Sequence, residues 1–107
     1  MTVAESFEIM ISTFNATAAG DMNKTFQWNV TGDDAGKYAL KIANGTCEFI
    51  NGGVDKADVT FTVSDTNWLA LSEGKLAPMN AFMSGKLKLA GDMMLSMKLQ
   101  QLFLAKR

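Results

Sequence analysis

Between Lys24 and Ser64 the chain alternates apolar and polar residues, and no other feature limits its possible folds as strongly. Phe26, Trp28 and Val30 alternate with Thr25, Gln27 and Asn29. Tyr38, Leu40 and Ile42 alternate with Lys37, Ala39 and Lys41, and Val59, Phe61 and Val63 with Asp58, Thr60 and Thr62. Successive side chains of a strand point to opposite faces, so each segment has one buried and one wet face. Thr46–Asn51 is less regular, with Cys47 and Phe49 on one face and Glu48 and Ile50 on the other. Asp33-Asp34-Ala35-Gly36, Asn44-Gly45 and Asn51-Gly52-Gly53 supply turns, Asn44-Gly45 being the strongest hairpin signal. The pattern predicts an antiparallel meander covered on one side.

Helical spacing flanks these strands. Thr2 to about Ala19 predicts one amphipathic helix with Val3, Phe7, Met10, Ile11, Phe14 and Ala18 on its inner face and Gly20 as its stop. After Ser64 a helix carries Trp68, Leu69 and Leu71 and ends at Gly74. Pro78 opens a short helix that Gly85 stops, and Lys86–Ala90 alternates as a fifth strand. Asp92 then caps a final helix reaching about Ala105. The expected order is α-β-β-β-β-α-α-β-α. This is an α+β fold: one domain over residues 1–107, with a five-stranded, mainly antiparallel sheet and helices on one face.

The final helix is apolar on two sides. At about 100° per residue, Leu95, Leu99, Leu102 and Phe103 form one stripe. Met93, Met97 and Leu104 form another. Ser96 and Gln100 separate the stripes on one side, and Met94, Lys98 and Gln101 on the other. A surface helix needs one stripe to dock, so the second meets more protein, a partner, a membrane or an apolar ligand. Methionine suits a surface that adapts to varied apolar shapes, and the chain has eight. Four helical segments compete for one sheet face. Helices that stop short of full contact leave a cavity, and a methionine-lined cavity suits flexible apolar ligands.

Composition narrows the function classes. There is no histidine, which removes the commonest general base and the commonest transition-metal ligand. Cys47 is the lone cysteine, has no basic neighbour in sequence, and reads as structural; it fits a reducing compartment. The acidic pairs Asp33-Asp34 and Asp55/Asp58 are explained by turn chemistry, and Gly74-Lys75 and Gly85-Lys86 by helix ends. No catalytic constellation, metal site or cofactor is expected. Net charge is −1 with the lysines read as scattered, so no footprint for nucleic acid or an anionic membrane is expected. No run is long and apolar enough for a transmembrane helix, and an N-terminus carrying Glu5 and Glu8 is unlike a signal peptide.

The second half resembles a known family. Phe61-Thr62-Val63-Ser64-Asp65, Trp68 to Leu76, Pro78 to Leu89 and Gly91 to Leu99 follow the order of the sterol carrier protein 2 family. The best part is Ala81 to Leu99, where Phe82-Met83-Ser84-Gly85-Lys86-Leu87-Lys88 leads through Gly91-Asp92 into a Met97-Lys98-Leu99 helix. The first half resembles the family more loosely, through its element order and the Trp28 strand. The resemblance implies a hydrophobic tunnel between sheet and helices. It also implies non-catalytic binding of fatty acids, fatty acyl-CoA, phospholipids or sterols. Within it, Met93, Met97 and Leu104 fall on the ligand side with Gln100 as a polar contact at the edge. Phe82, Met83, Leu71 and Trp68 form the opposing wall. Leu95, Leu99, Leu102 and Phe103 are the alternative, because the two stripes can be exchanged.

Many eukaryotic members of that family end in a tripeptide resembling Ser-Lys-Leu, whereas this sequence ends Ala105-Lys106-Arg107 and shows no thiolase, dehydrogenase or acetyltransferase domain. A free-standing cytoplasmic lipid carrier is therefore expected, monomer favoured over dimer. Transient membrane contact is admitted, although Glu5 and Glu8 argue against attraction of the first helix to anionic lipid. The alternative is an interaction or dimerisation module serving a lipid-metabolising, acyl-handling enzyme.

Overall fold

The alternating segments pair into a five-stranded sheet in the computed structural model, which describes residues 2–103, the side chains of Gln100 and Gln101 excepted. The elements are α1 (Val3–Ser12), α2 (Ala16–Ala19), β1 (Lys24–Thr31), β2 (Gly36–Ala43), β3 (Thr46–Asn51), β4 (Val59–Ser64), α3 (Asp65–Ser72), α4 (Pro78–Met83), β5 (Leu87–Gly91) and α5 (Met93–Leu102). Asn44 (φ 54°) and Gly45 (φ 74°) both take the left-handed conformation that a tight hairpin between β2 and β3 requires.

The meander stops after three strands. The sheet order is β3-β2-β1-β4-β5, and β4 pairs with β1 in parallel, placing Phe61 beside Trp28. The remaining pairings are antiparallel, as expected. The return from β3 to the free side of β1 passes over the face opposite Trp28. There Gln27 Oε1 accepts from the Val54 amide at 2.6 Å. Asp58 then exchanges two bonds with Thr25: its amide donates to the Thr25 carbonyl at 2.9 Å, and its carboxylate accepts from the Thr25 amide at 2.8 Å. Gly91 ends β5 against this junction, where a Cβ would collide with the Asp58 carbonyl.

The expected first helix is two helices. The Ser12 and Thr13 hydroxyls donate back to the Ile9 and Met10 carbonyls, which weakens continuation. Phe14 instead forms a β-bridge with Phe103, and the Asn15 amide donates to the Leu102 carbonyl at 2.6 Å. Asn15 then starts α2 by accepting from the Ala18 amide. Asp92 caps α5 as expected, accepting from the Leu95 amide at 3.1 Å.

Phe7 organises the core. Its ring stacks on Trp68 at 4.6 Å and on Tyr38 at 5.0 Å, and meets the edge of Trp28 at 5.2 Å. α1, α3, β1 and β2 thus share one aromatic cluster. Within it the Trp68 Nε1–H donates to Ser6 Oγ at 2.6 Å, and Ser6 Oγ donates to the Val3 carbonyl at 2.5 Å. Leu95 and Leu102 close the other end of the core from α5.

Candidate functional site

α5 docks by its leucine stripe. Leu95 and Leu102 are buried, and Leu99 and Phe103 pack half-buried against the core. Met93, Met94 and Met97 point outward, 52%, 74% and 63% exposed. The expected opposing wall divides. Trp68 is packed as core beneath Phe7, because its indole N–H has a buried partner in Ser6. Leu71 is half-buried against the core, while Phe82 and Met83 are exposed on α4. The structure thus gathers Trp68 and Leu71 on the inside and leaves Phe82, Met83, Met93 and Met97 on the outside. Leu104 and the side chain of Gln100 lie outside the described residues.

An apolar cleft of about 270 Å³ opens between α2, the Asp21–Lys24 connection and α5. Ala18, Ala19, Met22, Leu95 and Leu102 form its apolar lining, and Asp21, Lys24 and Lys98 contribute the polar groups. Both ammonium groups belong to exposed residues. Going round α5, Lys98 divides the outward methionines from the leucines that face the cleft. Sequence reasoning missed this cleft because it exists only where the first helix breaks at Thr13 and α2 turns toward α5. Asn15, a good helix-starting residue, was the signal for that break.

Charge is unevenly distributed, contrary to the scattered reading. The first 73 residues hold ten carboxylates and four lysines. From Gly74 to Phe103 the charged residues are Lys75, Lys86, Lys88, Lys98 and the single acid Asp92. Lys75 also meets Glu73 at 3.1 Å. Elsewhere the titratable groups offer little chemistry. Burial pushes the Cys47 thiol up to about 11, which holds it protonated and weakly nucleophilic at neutral pH. Among the described residues no cluster of histidine, cysteine or carboxylates is placed to hold a metal, and no helix is long and apolar enough to cross a membrane.

Comparison with known proteins decides the family, since the profile of the SCP-2 sterol transfer family matches residues 12–104. This chain belongs to the SCP-2 sterol transfer family. Peroxisomal multifunctional enzyme type 2 of Mus musculus is 40% identical over 83 residues, which are 75% of this chain and 11% of the enzyme. The chain thus spans only about a tenth of that relative. Among solved structures, palmitated SCP2L2 from Aedes aegypti is 25% identical with a TM-score of 0.75 over 94% of this chain and 93% of its own. The sec-alkylsulfatase Pisa1 from Pseudomonas sp. has the same fold in 17% of its length, at a TM-score of 0.84 over all of this chain and 24% identity. The fold therefore occurs both nearly alone and as a small part of larger proteins.

Proposed function

We propose that this protein binds lipids in an apolar tunnel and carries them through the cytoplasm without chemical change. Fatty acids and fatty acyl-CoA are the principal cargo, and phospholipids and sterols extend the range. The observation that carries this reading is the α2–α5 cleft, with an apolar lining and a polar rim of Lys24, Lys98 and one carboxylate, Asp21. An acyl chain gains about 0.8 kcal/mol per buried methylene before ordering costs, so affinity comes from chain burial. The two ammonium groups suit a carboxylate or phosphate at the mouth. The Aedes aegypti relative, described as palmitated, supports acyl cargo. The cargo side of α5 is then the leucine stripe, with Met93 and Met97 outside it.

Native mass spectrometry of freshly purified protein, with a fluorescent fatty-acid titration, tests the proposal. Saturable binding displaced by unlabelled lipid is expected. Ala18→Trp fills the cleft from an exposed position. Excluding the space of two methylenes alone weakens Kd by about tenfold. Unchanged affinity in Ala18→Trp, with a loss in Met97→Glu, would return the cargo to the methionine side. A protein that binds no lipid overturns the reading. The second reading, an accessory module for an acyl-handling enzyme, is favoured by the small share of the mouse enzyme that this chain matches. A mass that rises with concentration, without ligand, would support that interaction role.

A further inference from the structure

The sheet has two edge strands, β3 and β5, and they are not equally protected. β5 carries exposed Lys88, packs against α4, and ends at Gly91 in a non-extended conformation (φ 108°). Lysine, glycine and a covering helix all blunt an edge against further pairing. β3 is extended over Thr46–Asn51 and holds no lysine, proline or glycine. The Gly52 amide donates to the Lys37 carbonyl at 2.8 Å, which sets the phase of the β2–β3 ladder. Thr46, Glu48 and Ile50 therefore bond to β2, and the backbone groups of Cys47, Phe49 and Asn51 point away from the sheet. Among the described residues these three N–H and three C=O groups have no partner. β3 is also the strand whose alternation is irregular. Ile50 lies half-buried on the face that carries Lys37 and Lys41 on β2.

We infer that β3 pairs antiparallel with β3 of a second copy of this chain, about a two-fold axis at Phe49, and joins two sheets into one. The free edge is its own complement under that symmetry. Phe49 of one copy faces Phe49 of the other, and Cys47 faces Asn51, so that each pair exchanges both backbone bonds. The intervening pair sets Glu48 against Ile50, which keeps each carboxylate away from its copy and lays its stem on an apolar side chain. Sliding one copy by two residues in one direction sets Glu48 against Glu48. In the other direction it sets Cys47 against Gly53, which has left the extended conformation (φ 80°). The register is thus specified by charge and by the length of the strand. A six-residue edge is small for an interface, so the dimer is weak and forms as concentration rises, in contrast to the monomer favoured from the sequence. No residue of β3 lines the cleft, and this pairing goes beyond cargo binding without resting on it.

Sedimentation equilibrium of the full chain, from micromolar to millimolar concentration, tests this. The mass should rise toward that of a dimer. Asn51→Pro removes an N–H that β2 does not use, at an exposed position, and should weaken dimerisation by about tenfold or more. Circular dichroism checks its fold. Cross-linking reads the register independently of that variant. Glu48→Cys and Ile50→Cys, each combined with Cys47→Ser, are mixed in oxidised glutathione. Facing residues of a non-hydrogen-bonded pair lie about 4.5 Å apart at Cα, within reach of a disulfide. The mixture should therefore cross-link about fivefold or more above either variant alone. A mass that stays at the monomer value at millimolar concentration overturns the inference and leaves the edge to a strand of another protein. So does a dimer that folded Asn51→Pro leaves intact, or Glu48→Cys that cross-links with itself as well as with Ile50→Cys. A fluorescent fatty acid titrated at micromolar protein separates this inference from the lipid-carrier reading. A chain that dimerises through β3 yet binds no fatty acid sinks the carrier reading alone. One that binds fatty acid and stays a monomer throughout sinks the β3 pairing alone.

Discussion

The aromatic half of the molecule and its methionine-rich edge spend the same kind of hydrophobicity in opposite ways. Around Phe7, the rings of Trp28, Tyr38 and Trp68 converge from three further elements with centroid distances of 4.6 to 5.2 Å. Stiff side chains with few rotors make one geometry and so specify one fold. On α4 and α5, Met79, Met83 and Met94 are exposed and flexible, and they specify nothing within the chain. The difference shows that a hydropathy value does not decide whether a residue is buried in the fold or left at its surface. Shape, rotor count and neighbouring charge do.

The comparison is broken most directly by truncation on each side. Phe7→Ala should cost about 3–5 kcal/mol, because a fully buried ring leaves a cavity between two helices and the sheet. Met79→Ala and Met94→Ala should stay within about 0.5 kcal/mol. Urea unfolding of the three variants reads this directly. Comparable losses would mean that the methionine edge belongs to the core after all.

A finer test isolates the polar link inside the aromatic half. Trp68→Phe keeps most of the packing but removes the N–H that reaches Ser6 Oγ. A loss of about 1–3 kcal/mol is expected, since a buried acceptor is left without its donor. Adding Ser6→Ala should then cost less than it does in wild type, because the pair is already broken. Strictly additive losses would show that the bond contributes nothing of its own.

These two regions were not equally legible in the sequence. Alternation found all five strands, Asn44-Gly45 found its hairpin, and Asp92 found the start of α5, because each signal is local. Alternation fixes which face a residue takes but not which strand lies beside it. The parallel pairing of β4 with β1 therefore needed the Gln27–Val54 and Thr25–Asp58 bonds, whose partners are far apart in sequence. The break at Thr13 was hidden for the same reason, since the Phe14–Phe103 bridge that replaces helix joins opposite ends of the chain. Periodicity found two stripes on α5 but could not say which docks. Leucine and methionine are similarly apolar, and only the sheet beneath α5 distinguishes them. The cleft inherits both difficulties, which is why Ala18, Ala19 and Met22 were not anticipated as its walls.

The smallest expected effect belongs to a partly exposed carboxylate, Asp65, that anchors the aromatic half. Asp65 accepts from the Asp34 amide at 2.8 Å and from the Thr66 amide at 2.7 Å, while the Asp34 carboxylate accepts from the Val3 amide at 2.9 Å. This chain of bonds ties α3, the β1–β2 turn and the start of α1 together. The Asp34 amide first, then that of Thr66, hold the Asp65 carboxyl below its ordinary value of 3.8. A depressed folded value means that the ionised form favours folding. The contribution is complete above the ordinary value and is lost as pH falls through the lowered one. Asp65→Asn should therefore unfold at slightly lower urea than wild type at neutral pH, and the gap should close in acid. Hydrogen exchange locates the effect. The Asp34 amide should exchange faster in Asp65→Asn at neutral pH, while amides of α4 and α5 remain as in wild type. A gap that persists unchanged below the lowered value would show that the carboxylate charge is not what fastens this end of the molecule. Faster exchange across α4 and α5 would show that the two regions are coupled rather than separate in stability.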